Sequence, residues 1–268
     1  MNKEPRHILS LSGGKDSTAL AIHMRDRVPE MEYVFCDTGE ELRETYRYLD
    51  QVEAYLGKPI TRLNSRATFD HWLKVFGGYL PSPRMRWCTK MLKLKPFEEF
   101  IGEDPVISYI GIRADEDRTG YISHRDNITT VYPYKEDGID LNGVMRILEE
   151  SGIGMPPYME WGRTHSGCYF CFFQMKIEWV RLLETYPADF DKAQRYEEEN
   201  AKPGRDFTWI QGMPLRELRK GQNVASIKQE HAAKQHRLRE TRTNKKLVEI
   251  FGPIDDSAES AACLICRL

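Results

Sequence analysis

The run Ser10-Leu11-Ser12-Gly13-Gly14-Lys15-Asp16-Ser17 gathers the residue types that hold a phosphate. Glycine lets backbone N–H groups approach an anion, and a helix N-terminus favours negative charge. Lys15 adds a cation and Ser17 a hydroxyl, while Asp16 adds an oxygen of the kind that holds Mg²⁺ beside a polyphosphate. The spacing is not Gly-x-x-x-x-Gly-Lys-Ser/Thr, because here the glycines adjoin the lysine. A second set of reactive residues is Gly167-Cys168-Tyr169-Phe170-Cys171, with Cys88 earlier and Cys263 and Cys266 near the last residue. Two cysteines at this spacing suit a metal, an iron–sulfur cluster, a redox dithiol or coincidence. A cluster or a zinc ion needs about four thiolates. Cys88, Cys168, Cys171 and one of Cys263 and Cys266 would supply them.

The elements that must position these residues alternate. His7-Ile8-Leu9 reads as a buried strand and Thr18–Met24 as the start of a helix, so the glycine loop is a strand-to-helix turn. The turn reads as exposed, so truncating Lys15 or Asp16 is expected to leave the core intact. Glu32–Cys36 reads as a second strand, with Cys36 in the core, ending in Asp37-Thr38-Gly39. In open parallel sheets ligands bind at the carboxyl ends of strands. That places Asp37 and Thr38 beside the loop, where either is also a candidate cap for a helix over Glu40–Leu56. Leu42, Tyr46, Leu49, Val52 and Leu56 recur at helical spacing and Gly57 is a stop signal. Pro59–Leu63 is a weak third strand and Phe69–Phe76 a helix. Val106–Ile112 is the clearest later strand, and Thr129–Pro133 can close the sheet. Arg113 follows the Val106 strand. Its guanidinium suits phosphate or sulfate, or else a salt bridge with Asp115, Glu116 and Asp117. Arg84, Arg86, Lys90, Lys93 and Lys95 form a basic cluster around Cys88 that reads as a solvated face or as an anion-binding one. Strands separated by helices imply an α/β fold with a doubly wound parallel sheet.

Four of these pieces, Ser12–Ser17, Asp37-Thr38-Gly39, Trp87-Cys88-Thr89 and Gly111-Ile112-Arg113, resemble in order the PAPS-reductase-like branch of the PP-loop ATP pyrophosphatases. Asp140–Val144, Pro156–Tyr158 and Gly162-Arg163 are similar to the stretch before that branch's cysteine pair. The resemblance implies an adenine-nucleotide α-hydrolase-like sheet of about five parallel strands flanked by helices. It implies a nucleotide domain over 1–160 and a small helical, cysteine-containing region over 161–268 packed on it. It implies ATP, or a PAPS- or APS-like nucleotide, with Mg²⁺, held by Ser10, Ser12, Gly13, Gly14, Lys15, Asp16, Ser17, Asp37, Thr38, Gly111 and Arg113. Lys15, Asp16 and Arg113 would act in α,β-phosphate cleavage or in sulfur transfer or reduction. It favours a [4Fe–4S] cluster on Cys88, Cys168, Cys171 and Cys263 or Cys266, with Zn²⁺ as the alternative. The run Cys263-Leu264-Ile265-Cys266-Arg267-Leu268 departs from the Glu-Cys-Gly-x-His type of tail that carries the attacking cysteine of sulfonucleotide reductases.

The 268 residues suffice for one large domain or a domain with an appendage. No apolar run approaches the roughly 20 residues of a membrane span, and the first residues lack an apolar leader. A cytoplasmic location, and with it reduced thiols, is the expectation. The formal charge of −2 hides an uneven distribution. Glu178–Glu199 reads as two acidic helices broken at Pro187, whereas residues 216–246 are a basic stretch that reads from Asn223 on as a long basic helix. That helix is either a solvated face or a grip on nucleic acid. An accessory role in a nucleic-acid modification or defence complex, with little turnover, is therefore the alternative to an enzyme, and a homodimer is an expected assembly.

Overall fold

The computed structural model describes residues 3–117, 125–201 and 207–243. Cys263 and Cys266 lie outside the described residues. The chain divides into two compact units, one running to Tyr169 and the other starting at Phe170.

The first unit is built on a five-stranded parallel sheet of β1 Arg6–Ser10, β2 Glu32–Asp37, β3 Ile60–Asn64, β4 Val106–Tyr109 and β5 Ile128–Val131, in the order β3-β2-β1-β4-β5. Alternation along the strands sorts side chains onto two faces. Leu9, Tyr33 and Phe35 join a core with residues of α1 Lys15–Met24 and α2 Arg43–Leu56, whereas Ile8, Val34 and Cys36 join a second cluster with Leu63, Phe97 and Ile101. A sheet apolar on both faces must be covered on both faces, which is why the strands read as continuous apolar runs. The short helices that follow are α3 Phe69–Val75, α4 Trp87–Thr89, α5 Lys95–Ile101 and α6 Pro133–Glu136, and α7 Leu141–Ser151 packs against α1.

Two expected boundaries move. The helix after β2 starts at Arg43 with Leu42 at its N-cap, so neither Asp37 nor Thr38 caps it. Their side chains serve the turn instead: Asp37 Oδ1 accepts from the Gly39 amide at 2.8 Å and Thr38 Oγ1 from the Glu40 amide at 3.3 Å. The strand from Val106 ends at Tyr109, which leaves Gly111 and Arg113 in the turn beyond it. Gly57 does end α2, in the left-handed conformation that glycine adopts without strain.

The second unit contains α8 Lys176–Thr185, α9 Pro187–Asn200, α10 Leu215–Leu218 and α11 Gly221–Thr243. Pro187 opens α9, where its missing N–H costs nothing. Phe170 stacks on Trp209 at 4.9 Å, and Tyr196 and Trp179 pack around the same indole. Glu197 is buried there, and its two oxygens accept from the Trp209 and Leu215 amides at 2.9 and 2.6 Å. No helix among the described residues is long and apolar enough to cross a membrane.

Burial pushes the Glu197 carboxyl up to about 7, although both backbone donors favour its charged form. A folded-state value above the ordinary one near 4.5 means that the folded protein keeps a proton the unfolded chain has released. The second unit should therefore lose stability as pH rises through that window, by at most about 1.4 kcal/mol per pH unit. Glu197→Gln should flatten this slope between pH 5 and pH 7, read by urea unfolding of wild type and variant across the range.

Candidate nucleotide and thiol site

The sheet order reverses direction between β1 and β4, and in such sheets the ligand crevice lies outside the carboxyl ends at that switch point. The glycine loop leaves β1 there, and the Gly111–Arg113 turn leaves β4 beside it. Gly13 sits at φ +69°, and a Cβ on it would lie 2.9 Å from Thr45 Cγ2 of α2, so glycine is required twice over. A Cβ on Gly111 would lie 3.2 Å from the Asp16 carbonyl, which shows how closely the two turns approach. Inside the loop, Ser17 Oγ accepts from the Ser12 amide at 3.2 Å, donates to the Gly14 carbonyl at 3.2 Å, and lies 3.1 Å from Ser12 Oγ. Ser10 is buried at the end of β1.

Lys15 and Asp16 are not exposed, contrary to the reading of the turn as a surface feature: they keep 6% and 4% of their accessible surface. The reason is Arg113, which is 1% exposed. Its Nη1 lies 3.1 Å from Asp16 Oδ1 and 2.9 Å from Glu116 Oε1, and its Nε lies 3.0 Å from Asp115 Oδ1. Lys15 Nζ reaches Asp16 Oδ2 at 3.3 Å, and Tyr134 donates to the Asp16 carbonyl at 2.8 Å. Burial alone would lower the Arg113 pKa, but Asp16, Asp115 and Glu116 override it and raise the value above the ordinary one. Arg113 thus holds the loop's carboxylate and its own turn together. Truncating Asp16 would strip a buried cation of a partner.

One strand over, at the end of β2, a thiol environment forms. Thr38 Oγ1 lies 3.1 Å from Cys168 Sγ and donates to Glu41 Oε1 at 3.1 Å, and Cys168 Sγ donates to the same oxygen at 3.6 Å. Glu41 Oε2 is buried without a hydrogen-bond partner among the described residues. Burial raises the Glu41 pKa, against the pull of Lys93 and Arg163. Burial, then the Glu41 carboxylate, push the Cys168 thiol well above its usual range, and Cys88 adds to the shift. Lys93 belongs to the basic cluster but is buried, because the turn Lys90–Leu94 is π-helical and alters which residues face inward. Cys36 is a core thiol that burial pushes up to about 11.

The chain from Tyr158 to Tyr169 runs across both places. Tyr158 Oη accepts from the Lys15 amide at 3.2 Å, Ser166 Oγ donates to Ser12 Oγ at 3.2 Å, and the Tyr169 amide donates to the Glu40 carbonyl at 3.0 Å. Buried Arg163 donates to the Gly167 and Cys168 carbonyls at 3.0 and 2.7 Å. Glu41, Lys93, Tyr158, Arg163 and Ser166 were not singled out as site residues by the sequence. The available signals are the basic cluster that contains Lys93, the Pro156–Tyr158 and Gly162-Arg163 pieces of the resemblance, and for Glu41 and Ser166 only their position beside the Asp37 and Cys168 motifs.

Cys171 is buried in the second unit, whereas Cys88 and Cys168 belong to the first. Among the described residues no group of three or more His, Cys, Asp or Glu side chains is gathered as a metal site.

This combination of sheet order, glycine turn and helix N-terminus defines an α/β nucleotide-loop domain. Residues 6–134 match the phosphoadenosine phosphosulfate reductase domain model. An uncharacterised protein of Methanocaldococcus jannaschii is 28% identical over 209 residues, covering 73% of this chain and 42% of its own length. The tRNA-specific 2-thiouridylase MnmA of Aeromonas salmonicida is 26% identical over 159 residues, covering 53% of this chain and 40% of its own. The chain thus spans less than half the length of either relative. The crystal structure of phosphoadenylyl-sulfate reductase from Candida auris, a phosphate complex, shares the fold at a TM-score of 0.50 and 14% identity, over 62% of this chain and 82% of that one. The similarity to the PP-loop, PAPS-reductase-like superfamily is thus carried by residues 6–134.

Breaking a buried ion pair from one side costs roughly 3–5 kcal/mol because it leaves uncompensated charge. Arg113→Met should destabilise the first unit by that order. Arg113→Lys should recover only part of it, since one ammonium cannot reproduce the guanidinium fork. Chemical denaturation followed by far-UV circular dichroism measures both.

Proposed function

We propose that the chain is a PP-loop enzyme that binds ATP or an adenylyl sulfonucleotide on residues 12–17 and acts at its α-phosphorus or its sulfur. The carrying observation is the glycine turn into α1 at the switch point of the parallel sheet, one strand from a half-buried thiol hydrogen-bonded at the end of β2. The loop amides and Lys15 would hold phosphate oxygens, and Asp16 offers the carboxylate for Mg²⁺. Arg113 would act by holding Asp16, since its donors go to carboxylates. In the ATP reading, an acceptor oxygen forms a bond to the α-phosphorus, the bond to the bridging oxygen breaks, and pyrophosphate leaves. In the sulfonucleotide reading, Cys168, hydrogen-bonded to Thr38 at the end of β2, would be the reacting thiol. The relatives named for PAPS reduction and tRNA thiolation support sulfur-related nucleotide chemistry for this chain.

A second reading, a nucleotide-binding accessory of a nucleic-acid complex, is favoured by one observation. From Ala232 to Leu238 every side chain of α11 is exposed, including Lys234 and Arg237. Phosphate backbones are gripped mostly by such cations. Pyrophosphate release measured with and without DNA or RNA separates the two: turnover is expected from the enzyme, and binding without turnover from the accessory. Lys15→Ala should raise the ATP Kd at least about tenfold in calorimetric titration, the loss expected for one charge-assisted contact. An unchanged Kd would remove the loop from the site.

The iron–sulfur or zinc centre on Cys88, Cys168, Cys171 and Cys263 or Cys266 is part of this proposal. What supports it is the Gly-Cys-x-x-Cys spacing at Cys168 and Cys171, with Cys88 in the same unit as Cys168. Such a group would add electron transfer, or a folding constraint, next to the loop. Protein purified without oxygen should be brown and carry iron. Cys168→Ser and Cys171→Ser should each bleach it, while Cys36→Ser should not. Colourless protein with stoichiometric zinc would replace the cluster by zinc.

A further inference from the structure

We propose that Tyr158 and Ser166 are phosphate-binding residues, so that the segment 156–169 forms the second wall of the polyphosphate site and the glycine loop forms only the first. This rests on the reading that residues 12–17 take a polyphosphate.

The first observation is where the two hydroxyls lie. The amides of a helix's first turn have no partner inside the helix and point toward a bound anion. The Lys15 amide is the first of α1, and Tyr158 Oη is already within 3.2 Å of it. Ser166 Oγ lies 3.2 Å from Ser12 Oγ, which lies 3.1 Å from Ser17 Oγ. Hydroxyls from two distant parts of the sequence thus line one turn. Each can swing its proton to an oxygen placed among them, which a backbone amide cannot do.

The second observation is the space made for them. A Cβ on Gly14 would lie 2.8 Å from Ser166 Oγ and 3.2 Å from Ser12 Oγ. Gly14 therefore admits Ser166 to the loop as well as an anion. Tyr158 and Ser166 are buried, with 4% and 6% of their surface exposed. If packing were their whole task, phenylalanine and alanine would fill the same space without the cost of burying hydroxyls.

The third observation is that the segment is fixed beyond these residues. Arg163 holds the carbonyls of Gly167 and Cys168, and Tyr169 is tied to Glu40. Groups held in place before the ligand arrives lose little freedom on binding. The same segment carries Cys168 to Thr38, so one length of chain serves both the phosphates and the thiol.

Calorimetric titration of wild type, Tyr158→Phe and Ser166→Ala with ATP and with inorganic pyrophosphate tests the assignment. Each variant should raise both Kd values about tenfold, the order expected for one hydrogen bond to a charged group, and the ligand-free unfolding midpoint should stay at the wild-type value. Wild-type Kd values in both variants, or tighter ones, would overturn the assignment while leaving the nucleotide loop standing. Weaker binding accompanied by a lowered ligand-free midpoint in both variants would make the residues structural and overturn it as well. A wild-type protein that binds neither ligand would remove the nucleotide reading itself.

Discussion

The buried Arg113 guanidinium is the constraint on which the first unit's ligand edge depends. Asp16, Asp115 and Glu116 surround it, and Lys15 approaches Asp16 from the other side. Withdrawing a charge from water costs several kcal/mol, and the cost is offset only when its donors are taken up by carboxylates in good geometry. Because Asp16 sits in the first turn of α1 and Arg113 just past β4, meeting that condition locks two turns on either side of the switch point. Gly111 is the steric counterpart, since a Cβ there would lie 3.2 Å from the Asp16 carbonyl and press on the loop. The loop therefore owes its shape to charge pairing as much as to its own glycines.

The thiol environment at the end of β2 follows a different logic. Cys168, Thr38 and Glu41 share one hydrogen-bonded cluster in which neither acid finds its charged form favoured by burial. Lys93 opposes that tendency for both groups, and its inward position is produced by the π-helical turn. The thiolate is the reactive form of a cysteine, so surroundings that favour the protonated Cys168 slow its oxidation. Lys93 and Glu41 thus set the terms on which Cys168 can act.

Residues near and far in sequence meet at this edge for a topological reason. Parallel strands require crossover connections, so each strand end delivers a loop to the same side of the sheet. The loops after β1, β2 and β4 arrive in this way. The segment Tyr158–Tyr169 follows α7, which packs on α1. It can then reach Lys15, Ser12 and Thr38 at once.

By itself the sequence determined the class of fold and the location of the glycine turn between β1 and α1. Apolar runs ending in Gly13-Gly14 and in Asp37-Thr38-Gly39 are local patterns, readable because strand and helix periods and glycine geometry are properties of short segments. The same locality explains its errors. A cap at Asp37 or Thr38 is plausible in any chain of that composition, and the competing turn bonds to Gly39 and Glu40 appear only once the chain has folded. Lys15 and Asp16 read as exposed because polar residues in a turn usually are, and the partner that buries them lies 97 residues away from Asp16. Arg113 left two readings open in the sequence, phosphate ligand or ion pair, and the tertiary structure decided that its donors go to carboxylates. It also decided that Lys93 faces inward, that Cys168 meets Glu41, and that Tyr158 and Ser166 join the loop. Such pairings depend on long-range contacts, and no spacing rule within one segment encodes them.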